Sequence, residues 1–368
     1  GFIDIPCHSD KKHLKAPKAD SRIYQGITCE LGGNCGDISW PKEARYDIGK
    51  FRKMLSDNGL GINYGSLVGH GDIREMVVGP YNVKASDEEL SRMCDILDRE
   101  LSNGALGLSF GLEYAPGCYC ATSEMAALCR IVAEHNALYA IHMRHESDKV
   151  VEALTEAIEA ARLSGARLQV SHLKAQNPAN FDKLPQLLKM IDDARAEGID
   201  IAFDRYPYTA FATGFTSFIP IELRDGTHED ILRRLENPKT ASKIAEYTTQ
   251  RLERFGGADK VLVAACRKEE NLIYSGKNLE ECCAISGMSP EEMVRYLLIS
   301  EDLKVQQATF AMKEENLEMI MEAGRHAPSG GNCQTTHFLV IQNREVLDKL
   351  TVMVREAFAK MDETPGMY

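Results

Sequence analysis

The sequence predicts an α/β fold built on a parallel sheet of the βα-barrel type. Two strand-like runs, Leu138-Tyr-Ala-Ile-His142 and Leu168-Gln-Val-Ser-His172, flank one amphipathic helical stretch and each ends on histidine. Strand patterns then alternate with helical ones along most of the chain, the mark of βαβ units. Parallel strands joined by helices end at the same edge of the sheet, so the two histidines share a rim. In a barrel that rim is where chemistry is done.

Taken in order, Gly1–Ile5 reads as a first short strand, running into Pro6-Cys7-His8-Ser9-Asp10. His8 is then either a metal ligand or a loop histidine. Gly26–Leu31 is a β-branched second strand that runs into Gly32-Gly33-Asn34-Cys35-Gly36. The glycines allow a tight turn that presents the Cys35 thiol at a strand end, where it is a soft metal ligand. Gly61–Gly69 is a third strand ending at His70, either a residue supporting a site or a turn residue. Ser86-Asp-Glu-Glu89 is a capping box opening a helix to Leu101. Gly104–Leu112 is a fourth strand, and Ser123–Asn136 a helix with His135 at its C-terminal end.

The first histidine-ended strand follows, with His145 in the loop after it. Val151, Leu154, Ile158 and Ala161 share one face of the connecting helix, and Gly165 is its natural stop. Ile199–Phe203 is a seventh strand, ending in Asp204-Arg-Tyr-Pro-Tyr208. Residues 211–257 break the rhythm and read as a polar helical insertion without evident chemistry. Val261–Ala265 is another strand, and Ser289-Pro-Glu-Glu292 a capping box with proline at the first helical position. After Glu322 a Gly/Ser/Asn loop, 324–335, precedes a strand at His337–Gln342 and a helix at Arg344–Ala359. An eighth barrel strand ending in an acid is not found.

Bulk properties narrow the function. The 368 residues suit one barrel and an extra part, and 44% hydrophobic content allows a large core. A net charge of −12 argues against nucleic acid or an anionic membrane surface as partner. No apolar run approaches the roughly 18 residues of a spanning helix. Eleven irregularly spaced cysteines suggest reduced thiols in a cytoplasmic protein. The absence of Met at Gly1 leads us to expect that N-terminal sequence is missing.

Several motifs in order then resemble a known family. Gly1–Asp4, His8, Gly33-Asn-Cys-Gly36, Val68-Gly-His-Gly71, Gly107–Tyr114, His142-Met-Arg144, Ser171-His-Leu-Lys174 and Asp204–Tyr208 are similar to those of zinc-dependent N-acyl-D-amino-acid deacylases (D-aminoacylases) of the amidohydrolase superfamily. The resemblance covers about residues 1–320 and implies a (β/α)8-type amidohydrolase barrel lacking its last strand. It implies that Cys35, His142 and His172 hold zinc, with His8 in a second, weaker site. Lys174 and Tyr206 would bind the carboxylate of a small N-acyl-D-amino acid. Two departures stand out: Pro6 replaces the first histidine of the family's His-x-His, and the family's catalytic aspartate is absent after Met312-Lys-Glu-Glu315. Together they imply impaired hydrolysis, or a zinc-binding relic without catalysis.

Residues 321–368 resemble a nitroreductase fragment of α+β character, joined to the barrel as in a fusion. Ala327–Gln334 is similar to a flavin-contacting turn, which would place Ser329, Asn332 and Gln334 on FMN in an oxidoreductase reading. An unclosed barrel would also leave strand edges open to self-association.

Overall fold

A computed structural model describes residues 2–325, apart from Pro6 and Ser39, together with Lys349. The chain divides into two units, Gly1–Asn316 and Leu317–Tyr368. The expected flavin contacts Ser329, Asn332 and Gln334, the strand at 337–342 and most of the helix at 344–359 lie outside the described residues.

The first unit is organised around short parallel strands: β1 (Phe2–Asp4), β2 (Ile27–Gly32), β3 (Asn63–Ser66), β4 (Val68–Gly69), β5 (Gly107–Gly111), β6 (Leu138–His142), β7 (Arg167–Val170) and β8 (Ile201–Phe203). They pair in the orders β1-β2-β3 and β4-β5-β6-β7-β8. Only Leu67 separates β3 from β4, and its N–H bonds to Gly32 O at 2.9 Å. The pair therefore acts as one bent strand linking the two sheets, which makes seven parallel crossings in sequence order. Among the described residues β1 and β8 each pair with one neighbour, so the run of parallel strands stops short of eight.

Helices cover one face of this array. The helix Val150–Ser164 buries Ala153, Leu154, Ala157, Ile158 and Ala161, and Gly165 ends it with φ +75°. Side chains alternate faces along a strand. Tyr139 and Ile141 join the large core under the helices, with Leu108, Phe110, Leu168 and Val170. Ala140 packs on the other face with Leu31 and Leu67. His142 shares the face of Ala140, so the array turns it inward and not toward the helices.

The stretch 211–257 departs from the expected helical insertion. It starts as β9 (Ala210–Gly214), which with β10 (Val261–Ala265) and β11 (Gln306–Phe310) forms an antiparallel sheet ordered β10-β11-β9. The helices His228–Glu236 and Pro238–Phe255 follow β9. Phe211, Phe215, Phe218, Phe255, Val261 and Leu297 belong to the separate core of this layer. The expected capping boxes at Ser86 and Ser289 both form. Among the described residues no helix is long and apolar enough to cross a membrane.

Candidate metal centre

Each residue at the rim lies at or just after a strand's carboxyl end. The turn after β2 carries Cys35 with φ +56°, in the left-handed region. Ser109 on β5 pins this turn: its hydroxyl accepts from Gly36 N at 3.0 Å and donates to Gly33 O at 2.5 Å. Asn34 Nδ2 ties the turn to Leu31 O at 2.8 Å. Backbone packs on backbone here. A Cβ on Gly33 would lie 2.2 Å from Leu67 O, and one on Gly36 would lie 2.6 Å from Gly111 N.

His142 is the last residue of β6. His172 lies two residues beyond β7, in a turn with φ +41°, and not at the end of an extended strand as expected. Asp204 after β8 explains the turn: its Oδ1 accepts from His172 N at 2.7 Å, while Oδ2 accepts from Gln169 Nε2 at 2.6 Å.

The three side chains converge. Cys35 Sγ lies 3.6 Å from His172 Nε2, and His172 Nε2 lies 3.1 Å from His142 Nδ1. The donor atoms of Cys35, His142 and His172 all fall within 4.8 Å of one another. A tetrahedral zinc with ordinary Zn–S and Zn–N bonds would space sulfur and nitrogen by about 3.6 Å and two nitrogens by about 3.3 Å. The donor set therefore fits zinc in chemistry and in spacing.

The charges agree. Burial alone would raise the Cys35 thiol, but hydrogen bonds with His142, His172 and His8 outweigh it and hold the thiol well below its ordinary range. Burial opposes the charge on His142, yet Glu146, the Cys35 thiolate and Glu113 raise its pKa to about 10. A bound cation would compete with protons at these donor atoms.

His8 is exposed, and its hydrogen bond with Cys35 raises its pKa. It does not join the three-residue donor cluster. His70 begins a helix, fully buried, with Nε2 on Glu124 Oε1 at 2.8 Å. Lys174 is only 3% exposed. Its ammonium bonds to Glu146 Oε1 and to His172 O, the latter at 2.9 Å. Tyr206 lies near His172, tilted, with ring centroids 6.2 Å apart, and its hydroxyl is buried without a partner.

Two carboxylates were not singled out from sequence. Glu113 Oε2 lies 3.2 Å from His142 Nε2, and Glu146 Oε1 lies 2.9 Å from His172 Nδ1. Glu146, four residues after His142, offered a spacing signal; Glu113, two residues past β5, offered only its place after a strand. Beside them lies a cavity of about 90 Å³ lined by Glu113, His145 and Glu146 and by Tyr247, Arg251 and Arg254. The last three come from the helix Pro238–Phe255, so the stretch expected to lack chemistry lines the neighbourhood of the site.

The chain is similar to an N-acyl-D-glutamate deacylase of Alcaligenes xylosoxydans xylosoxydans, 33% identical over 229 residues, covering 58% of this chain and 47% of the relative. A D-aminoacylase of the same organism is 31% identical over 230 residues, with the same coverage. In structure the chain matches the N-acyl-D-glutamate deacylase of Bordetella bronchiseptica, solved with zinc and a phosphonate inhibitor that mimics the tetrahedral intermediate. That match has a TM-score of 0.71 and 26% identity, covering 88% of this chain and 62% of the other. A crystal structure of D-aminoacylase gives a TM-score of 0.68 at 26% identity, covering 87% and 62%. The fold is that of the D-aminoacylases. The chain spans about half the length of these curated relatives. The nitroreductase family model matches residues 307–367, so its match starts within β11 of the D-aminoacylase-like unit.

Proposed function

We propose that Cys35, His142 and His172 hold one zinc ion, and that the centre hydrolyses the amide of small N-acyl-D-amino acids slowly. The observation that carries this reading is the convergence of one thiol and two imidazole nitrogens at distances suited to one tetrahedral ion. When bound, zinc supplies a water of lowered pKa and polarises the scissile carbonyl.

The chain's own residues do the rest. Cys35 contributes a thiolate, and the imidazoles contribute lone pairs at His142 Nδ1 and His172 Nε2. Tyr206 offers a buried hydroxyl for the substrate's carboxylate. Arg205 stands over its ring at 4.3 Å, with Nε and Nη1 also unpartnered. Lys174 acts through Glu146 in this scheme, because its ammonium is already committed there. His8 is the residue for a second, weaker metal.

Hydrolysis also needs a group to take the water's proton and hand it to the leaving amine. Among the described residues the carboxylates near the centre have other duties: Asp204 holds the turn at His172, Glu146 holds Lys174 and His172, and Glu113 holds His142. Turnover should therefore be slow. The test is metal analysis, with release of free D-amino acid from N-acetyl-D-amino acids. We expect about one zinc per chain and weak hydrolysis, both lost in Cys35→Ser. A chain that takes up no zinc would refute the centre; brisk turnover would refute the argument from the missing acid.

The nitroreductase match at 307–367 supports a second reading, flavin binding by the C-terminal unit. Visible flavin absorbance of the purified protein, or of protein incubated with FMN, decides it.

A further inference from the structure

We infer that Glu113 is a positioning residue that fixes the proton and ring orientation of His142 and thereby tightens the metal centre. The inference rests on the zinc reading above. A histidine that gives a lone pair from one ring nitrogen must carry its proton on the other, and the partner of that second nitrogen sets the orientation. His142 turns Nδ1 to His172 Nε2, 3.1 Å away, and Nε2 to Glu113 Oε2, 3.2 Å away. His172 turns Nε2 to Cys35, and its Nδ1 lies 2.9 Å from Glu146 Oε1 and 2.8 Å from Lys174 Nζ.

The two carboxylates are not equivalent. Glu146 is buried; Lys174 sits on its Oε1 and Gln176 Nε2 on its Oε2 at 2.8 Å. Its charge is answered locally. Its Oε2 is also 3.9 Å from His142 Nε2, too far for a hydrogen bond. Glu113 pairs with no lysine or arginine within 4.0 Å among the described residues, and Arg251 acts on it only at longer range. His142 therefore depends on Glu113 alone for its second nitrogen, and feels that negative charge nearly undivided. Loss of Glu113 frees the ring to turn and removes the charge that makes Nδ1 a better donor.

The experiment is zinc competition against a chromophoric chelator, on the full chain carrying Glu113→Ala or Glu113→Gln, with the exposed Glu75→Gln as control. Cobalt(II) spectra of the same proteins accompany it. Losing such a partner costs roughly 10–100-fold in metal affinity. We expect that loss for E113A, a smaller one for E113Q, whose amide oxygen can still accept from Nε2–H, and none for E75Q. The thiolate–cobalt band should persist in all, with altered ligand-field bands in the Glu113 variants only. If E113A fails to fold, the isosteric E113Q carries the test. Zinc affinity unchanged in a folded variant overturns the proposal. Equal losses in E113Q and E113A, tracking a loss of thermal stability, overturn it in favour of a packing role. A wild-type chain without zinc shows instead that the centre itself is misread, and the proposal falls with it.

Discussion

The turn that carries Cys35 makes a demand on β5 that one methyl group can test. A Cβ placed on Gly111 would lie 1.9 Å from Cys35 O and 2.7 Å from Cys35 C. An unstrained C–H···O contact needs about 3.3 Å, so Gly111→Ala must open this gap by about 1.4 Å. β5 cannot easily give way: it pairs with β4 and β6, and Leu108 and Phe110 are fully buried. The turn must move, and Sγ with it. Metal–ligand distances tolerate only about ±0.2 Å, so a shift near 1 Å effectively removes the thiolate. The expected loss in zinc affinity is at least the roughly 10–100-fold that loss of an orienting partner causes. The overpacking should also cost about 1–3 kcal/mol of stability. Gly165→Ala is the control. Gly165 has φ +75° with nothing within 4 Å of its Cβ position, so alanine there costs about 1–2 kcal/mol of backbone strain and leaves zinc alone. Both variants are assayed by chelator competition and urea unfolding. If G111A binds zinc as tightly as wild type, the turn is not pinned as argued.

Three further outcomes are expected. Glu124→Gln leaves the fully buried Arg74 without the carboxylate that accepts from its Nη1 at 2.6 Å; urea unfolding should show a loss of about 3–5 kcal/mol, and a loss below about 1 kcal/mol would mean the pair behaves like a surface one. Burial, with Asp37 adding to it, pushes the Asp72 carboxyl up to about 7. Between pH 4 and 7 the folded chain thus keeps a proton that the unfolded chain has lost, and stability falls with rising pH by at most about 1.4 kcal/mol per unit. Asp72→Asn should remove that slope in unfolding midpoints measured across the window; an unchanged slope would refute the assignment. β1 has one strand neighbour among the described residues and exposes Phe2 and Ile3, so light scattering should show concentration-dependent self-association; a monomer at all concentrations would contradict it.

Much of the fold was legible because the parallel strands are short apolar runs punctuated by glycine and by capped helices. Leu138–His142 is a strand over its full expected span, and the helix after it stops at Gly165. β9 and β11 escaped notice for a physical reason. Gln306–Phe310 has polar residues at three of its five positions and a small alanine between them, and its pairing partners lie 40 or more residues away. An antiparallel strand with one half-exposed face carries little signal without its neighbours in view.

The site divides along the same line. The residues that offer donor atoms stand at strand ends and could be found by type and position: sulfur after a glycine turn, imidazoles at successive strands. What holds those atoms in place depends on distances no spacing encodes. Lys174 shows the difference. The resemblance to the deacylases implies that it binds a substrate carboxylate. In the fold its ammonium is buried between Glu146 and the His172 carbonyl, and therefore supports an imidazole. A buried lysine beside a carboxylate satisfies its charge internally before any ligand arrives. In the proposed scheme, recognition of an anion then falls to donors still without partners, the Tyr206 hydroxyl and Nε and Nη1 of Arg205. Removing the Lys174 charge should accordingly weaken zinc through Glu146 and His172 more than it weakens carboxylate binding, the reverse of what the resemblance implies.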